Sequence, residues 1–296
     1  MFTAHSHLMH RSVSYIALGM FSLLLTACTQ LGTTAANSIA YLCSDQVRHA
    51  DLAYGEAEHQ KLDIYTPPAD AYSTPRPVIL FVYGGSWQKG HKGMYAFAAE
   101  AFTSQGYIVA IADYAKYPPA RYPRFTQDIA RAYAWLENNI ASYGGNASQF
   151  YLVGHSAGAH IAAMLASNPA FLEAAGSDRS NLKTFAGLSG PYDFEPSDKD
   201  IIAIFAPADP LDSAMPATYV DASAPPMLLI HGRKDTIVAL TNLTRMQQKI
   251  EQAGGTVQTR IYDTADHIDT AAALSIPLRS SYPVLQDVSA FFARHR

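Results

Sequence analysis

Ser156 lies in the stretch GHSAGAH, with Gly154 and Gly158 two residues to either side. A short apolar run leads into it, and a small-residue stretch with helical spacing leads out. A serine on so tight a strand-to-helix turn has its hydroxyl pushed out beyond the sheet, beside a helix N-terminus where negative charge is stabilised. Gly-x-Ser-x-Gly alone also fits a plain turn, so the chemistry depends on partners. A hydroxyl is a poor nucleophile until a base takes its proton. IYDTADHIDT supplies His267 and LLIHGRKDTIV supplies Asp235, each just beyond an apolar run. Asp263, Asp266 and Asp269 crowd around His267, but an acid that near in sequence rarely has the geometry to orient the imidazole. Asp235 is therefore the expected acid. His231 reads as packed core, and His155 and His160 are too close to Ser156 in sequence to act as its base. Acyl transfer would build charge on a carbonyl oxygen, which fixed N–H donors must meet. The N–H of Ala157 is one such donor. The loop FVYGGSWQKG, where Gly84 and Gly85 free the backbone to turn its amides, is placed to give another. Trp87 in that loop fits a core aromatic as well as a substrate wall.

These residues need a scaffold whose strands end together. From about residue 45, strand and helix patterns alternate. KLDIYTP alternates apolar and polar residues, as a half-buried strand does. RPVILFVYGG and YIVAIADY are continuous apolar runs, as strands buried on both faces are. KTFAGLSG, PPMLLIHG and TVQTRIYD are further strands. YAFAAEAFTSQG has helical spacing and stops at Gly106. FTQDIARAYAWLENNIASYGGN, LTRMQQKIEQAGG and VLQDVSAFFARH are further helices, and QFYLVGHSAGAHIAAMLAS reads strand, turn, helix. The alternation predicts an α/β fold, a mostly parallel sheet with helices on both faces. Ser156, Asp235 and His267 then share the carboxyl edge of the sheet, where such folds bind ligands. AKYPPARYPRF is a loop. Gly190 to Ala224, rich in Pro and Asp with poor periodicity, reads as a short lid over that edge.

The chain has 296 residues, 49% hydrophobic and 16% charged, with a formal net charge of −4. That suits one large core and opposes disorder. No clustered basic surface marks a nucleic-acid partner. The N-terminal apolar run from Val13 to Ala27 is shorter than the ~20 residues of a membrane span and has the size of a secretory h-region. It ends in LTAC, which resembles the lipobox of bacterial lipoproteins. That resemblance implies cleavage before Cys28 and lipidation of its thiol, since two or more acyl chains anchor firmly. The expected division is a signal peptide over 1–27, a small polar tether over 28–44 and a catalytic domain over 45–296. The protein would then be lipid-anchored in the bacterial cell envelope, by resemblance at the outer membrane, with its domain in the periplasm. A Cys28–Cys43 disulfide is the alternative use of the two cysteines, closing a short loop outside the core. No His-Glu-x-x-His or comparable spacing calls for a metal, and none of these patterns specifies an oligomeric state.

Taken in order, VYGGSW, DYAKYPPARYP, GHSAGAH, HGRKDTIV, ADHID and LSIPLRSSYPVLQDVSAFF resemble the α/β-hydrolase superfamily. The match is to its carboxylesterase branch with a His-Gly-Gly-x-Trp-type oxyanion loop, near the hormone-sensitive-lipase-like and kynurenine-formamidase-like esterases. The likeness spans roughly residues 50 to 296. It implies hydrolysis of a small-molecule ester, short-chain acyl or aryl, without a cofactor. It also implies Ser156 as nucleophile, Asp235 as orienting acid and His267 as base, with Gly85, Ser86 and Ala157 as backbone donors. Tyr83 stands where the family usually has His, and Ser86 where a third glycine is common. Tyr83 and Trp87 are expected to border the substrate. An arylformamidase or other amide hydrolase would use the same triad, and a non-catalytic binding lipoprotein would keep only the fold.

Overall fold

The computed structural model describes residues 31–68 and 74–296. Its strands, in chain order, are β1 Val47–Ala53, β2 Lys61–Thr66, β3 Arg76–Val82, β4 Ile108–Ala112, β5 Gly145–His155, β6 Leu182–Leu188, β7 Met227–Gly232 and β8 Val257–Tyr262. They form one sheet in the order β1-β2-β4-β3-β5-β6-β7-β8. β2 pairs antiparallel with β1 and with β4, and every pairing from β4 across to β8 is parallel. The central strands are the continuous apolar runs of the sequence: β4 and β7 are buried at every position.

Helices cover both faces. The helices are α1 over residues 31–42, then α2 Ala96–Thr103, α3 Arg124–Asn139, α4 Ala157–Ser167, α5 Ala170–Ala174, α6 Lys199–Phe205, α7 Thr241–Gln252, α8 Asp269–Ala272 and α9 Val284–Arg294. Adjacent residues on a strand face opposite sides of a sheet. On β5, the Phe150 ring meets Tyr133 of α3 at 5.0 Å, while the Tyr151 ring stacks on Phe292 of α9 at 4.4 Å. So α3 and α9 lie on opposite faces. The segment from Gly190 to Ala224, expected as a lid, contains α6 and two short 3-10 turns, Leu211–Ala214 and Pro216–Thr218.

Three features differ from the sequence reading. Residues 31–42, within the expected tether, are helical and docked: Asn37 Nδ2 donates to the Gly93 carbonyl and its Oδ1 accepts from the Phe97 N–H, with Ala40 buried. A tether cannot hold a side-chain amide between two backbone groups; this segment is fastened to the approach to α2. Second, β1 has no counterpart in the sequence reading, because most of its positions are exposed and no apolar alternation marks it. Its register shifts between His49 and Leu52, with Asp51 at φ 58°, a bulge on the outer edge of the sheet. Third, β2 is not half-buried. Asp63, at a position read as solvent-facing, is fully buried. Its carboxylate accepts from Arg48 at 2.7 Å and the Asp51 N–H at 2.9 Å, and pairs with Lys92 Nζ at 2.9 Å. A buried carboxylate is tolerated when paired and hydrogen-bonded in this way.

The expected signal peptide, residues 1–27, and the lipidation position Cys28 lie outside the described residues. Cys43 is exposed, with no disulfide partner among the described residues. Among the described residues, no helix is long and apolar enough to cross a membrane, and no group of three or more His, Cys, Asp or Glu is placed to hold a metal ion.

Candidate active site

β5 ends at His155 and α4 begins at Ala157. Ser156 between them has φ 54° and ψ −126°, a backbone state that L residues adopt only when the surrounding structure forces it. The glycines make room for it. A Cβ on Gly154 would lie 2.5 Å from the Gly158 carbonyl oxygen, and one on Gly158 would overlap the Val82 and Tyr83 carbonyl oxygens. Helix α4 is therefore seated directly on the ends of β3 and β5, and the serine hydroxyl is left partly exposed at the carboxyl edge.

The structure brings Ser156, His267 and Asp235 together. The Ser156 hydroxyl lies 2.9 Å from Nε2 of His267, and Nδ1 of His267 lies 2.8 Å from Oδ2 of Asp235. Asp235 comes from the loop after β7 and His267 from the loop after β8, as their sequence positions require. The second carboxylate oxygen, Oδ1, accepts from the N–H groups of Ile237 and Val238. Burial alone would push the Asp235 carboxyl up. Donors from His231, His267 and the Val238 N–H together outweigh burial and hold it well below the usual carboxylate range. Asp235 is thus fixed as an anion facing the imidazole. The neighbouring acids do other work: Asp263 pairs with Arg233, and Asp266 and Asp269 cap their own loop.

Two buried histidines frame the pair. His231, read from sequence as packed core, is fully buried, and its Nε2 lies 2.9 Å from the Val238 carbonyl and 3.3 Å from Asp235 Oδ2. His155 Nε2 lies 3.0 Å from the carbonyl of His267. Burial, and next the nearby His267, push His155 down to about 3, so it is neutral at ordinary pH. Its Nε2 therefore donates and pins the backbone of His267. Sequence reasoning missed both roles. The spacing of four between His231 and Asp235 was the available signal.

The loop after β3 runs through three consecutive positive φ values, 131° at Gly85, 53° at Ser86 and 58° at Trp87. The Gly85 carbonyl accepts from the N–H groups of Gln88 and Lys89, closing the loop as a turn. Among the described residues, the N–H groups of Gly85, Ser86 and Ala157 have no acceptor within the chain. Ser86, Trp87, Ser156 and Ala157 border one cleft of about 370 Å³. Its other walls include Pro191, Phe194, Glu195, Asp198 and Ile201 from the Gly190–Ala224 segment, Ile237 and Val238 from the loop after β7, and Asn242 of α7. Asn242 ties the two together, its Oδ1 accepting from the N–H groups of Tyr192 and Asp193.

Tyr83 does not border this cleft. It is fully buried behind the loop, stacked between Tyr95 and Tyr114, and its hydroxyl donates to Asp113 Oδ1 at 2.6 Å. The expectation that it lines the substrate is corrected: at this position the side chain braces the loop from beneath, and Asp113, unmarked in the sequence reading, holds it there. Trp87 does line the cleft, with its ring stacked near Phe194 at 6.0 Å.

The BD-FAE family matches residues 62–250, more than half of the chain. The chain belongs to the BD-FAE family. Among its curated relatives is a probable isoprenylcysteine alpha-carbonyl methylesterase of Oryza sativa subsp. japonica, 31% identical over 81% of this chain and 60% of that protein. Esterase LipC of Mycobacterium tuberculosis is 30% identical over 65% of this chain and 52% of its own length. This BD-FAE chain thus spans about half to three-fifths of the curated relatives it matches. Among solved structures, esterase B from Lactobacillus rhamnosis superposes with a TM-score of 0.74 at 21% identity, covering 93% of this chain and 95% of that one. A truncated carbohydrate esterase from gut microbiota superposes with a TM-score of 0.73 at 19% identity, covering 84% and 96%. The fold of this BD-FAE member is that of the α/β-hydrolases, as its sequence motifs led one to expect.

Proposed function

We propose that the protein is a serine carboxylesterase working through an acyl-enzyme. The observation that carries this reading is the hydrogen-bonded chain from Ser156 through His267 to Asp235, set beside unpartnered backbone N–H groups. His267 Nε2 takes the hydroxyl proton as Ser156 Oγ bonds to the ester carbonyl carbon. The carbonyl oxygen becomes an anion facing the N–H groups of Ala157 and of Gly85 or Ser86. Such donors, fixed before reaction, are each worth about 3 kcal/mol in related chemistry. The carbon–oxygen bond to the alcohol breaks, and that oxygen leaves with the proton from His267. Water then attacks the acyl carbon, giving its proton to His267. The acid departs as Ser156 recovers its hydroxyl. Asp235 holds the imidazole tautomer and stabilises the imidazolium throughout.

Relatives and structural neighbours named as esterases support ester hydrolysis, and the 370 Å³ cleft lined by Trp87, Phe194 and Pro191 favours short acyl or aryl acyl groups. A lipid on Cys28 would place the enzyme on a membrane of the cell envelope. We expect purified protein to turn over p-nitrophenyl acetate, with kcat for Ser156→Ala at background. Equal rates for wild type and Ser156→Ala would remove the esterase reading. A Cys28→Ala protein that still partitions with membranes would remove the anchor.

A further inference from the structure

The cleft that holds Ser156 has walls of two kinds. Trp87, Phe194, Ile201 and Ile237 bring rings and hydrocarbon to it, with the Trp87 and Phe194 rings stacked at 6.0 Å. Glu195 and Asp198, both exposed, are its charged residues, and no Lys, Arg or His lines it. The two carboxylates are not equivalent. Asp198 Oδ1 accepts from the N–H groups of Asp200 and Ile201 and caps α6. Glu195 has no hydrogen-bond or ion-pair partner among the described residues. The basic residues nearby in the chain, Lys199 and Arg245, are not part of the walls, and Arg245 Nη1 donates to the Asp193 carbonyl at 3.4 Å. An exposed carboxylate needs no partner for stability. Its place on a wall of the nucleophile's own cleft is what bears on the reaction.

We propose that Glu195 determines specificity: the cleft prefers esters whose acyl group carries a positive charge, such as a substituted ammonium, over neutral esters of the same shape. The proposal rests on the esterase reading and deepens it by naming the substrate class of that site. In that mechanism Ser156 Oγ bonds to the ester carbon and the carbonyl oxygen faces Ser86 and Ala157. All three residues line this cleft, so the acyl group on that carbon enters it. There it comes under the negative potential of Glu195 and Asp198. An anionic acyl group meets like charge and finds no basic side chain to pair with, which costs affinity. A cationic one meets a carboxylate and aromatic rings, and each of these attracts it. Glu195 does this at range, without touching the reacting atoms.

The experiment compares kcat/KM for two p-nitrophenyl esters of one shape, the 4-(trimethylammonio)butanoate and the 5,5-dimethylhexanoate. They differ by a quaternary nitrogen in place of a quaternary carbon, so the charge is the same at every pH. The reacting centre is common to both, and a general loss of activity or folding cancels in their ratio. At low salt, wild type should favour the cationic ester about fivefold, the factor for a favourable exposed ion pair. Glu195→Gln, which keeps the size and removes the charge, should lower the ratio about fivefold, and Glu195→Lys should lower it further. About 0.5 M NaCl, which screens charges beyond a few Å, should move the wild-type ratio toward that of Glu195→Gln. The proposal falls if wild type does not favour the cationic ester, if Glu195→Gln keeps the preference, or if salt leaves the wild-type ratio unmoved. A preference kept by Glu195→Gln and lost by Asp198→Asn overturns it in favour of Asp198. It also falls if p-nitrophenyl acetate is hydrolysed and neither larger ester is. If p-nitrophenyl acetate is not hydrolysed either, the esterase reading has failed first.

Discussion

His231 shows how much a buried side chain can do without touching a substrate. The Val238 carbonyl can only accept, so Nε2 of His231 carries a hydrogen, and the same hydrogen is directed toward Asp235 Oδ2. The Asp235 carboxylate is therefore held from two sides, by His231 and by His267. Replacing His231 by Leu should lower kcat about tenfold or more with little change in KM. Without this donor the carboxylate is more basic and stabilises the His267 imidazolium more strongly. The acid limb of kcat/KM should then move to higher pH. His231→Gln, which can keep an N–H at that distance, should restore both. An acid limb that stays in place in His231→Leu would reduce His231 to core packing. Asp235→Asn, which keeps the shape but loses the anion, should cost about four orders of magnitude in kcat at neutral pH, read on a protein whose thermal unfolding is otherwise cooperative.

At the scale of elements, the seating of α4 on β3 and β5 is the least forgiving contact. Gly158→Ala places a methyl into the Val82 and Tyr83 carbonyl oxygens, backbone atoms that cannot swing away. Overpacking of this kind costs about 1–3 kcal/mol or more, and urea midpoints should report it along with loss of activity. An unchanged midpoint would mean that the elbow has slack. This element was readable because its signal is local: an apolar run, three small residues, a helical pattern. β3 to β8 were readable for the same reason, and so were Ser156, Asp235 and His267, each at the end of such a run. The misreadings lie where the deciding partner is distant. α1 is built from TTAANSIAY, and the side chains it buries, Asn37 and Ala40, carry no apolar bulk to reveal docking. Asp63 looks like a solvent-facing strand residue until Arg48 and Lys92 are brought to it. Tyr83 seemed to face the substrate because its loop does. Its direction is set by Asp113, thirty positions on.

For the whole molecule, buried histidines set the response to acid. Burial lowers His160 from its ordinary 6.5 to about 4, and burial with the nearby His267 lowers His155 to about 3. Between roughly pH 4 and 6.5 the unfolded chain binds protons at these two sites and the folded chain does not. Stability therefore rises with pH across that window and is lost on acidification, by about 1.4 kcal/mol per pH unit for each histidine. The Asp235 anion acts in the same direction at still lower pH, because its contribution disappears as pH falls through its depressed folded value. Urea denaturation from pH 4 to 7 should give this slope, and His160→Gln should reduce it by about 1.4 kcal/mol per unit. An unaltered slope in that variant would contradict the assignment. The outer edge of the sheet carries a different consequence. A straight, unpaired strand is a template on which other chains can stack and grow into fibres. β1 offers no such template. Its regular pairing runs for only three residues before the bulge, Asp51 turns its N–H inward to Asp63, and the Arg48 and Asp51 side chains put charge on the margin. The irregular strand that sequence patterning overlooked thus leaves this edge of the sheet a poor template for pairing with another chain.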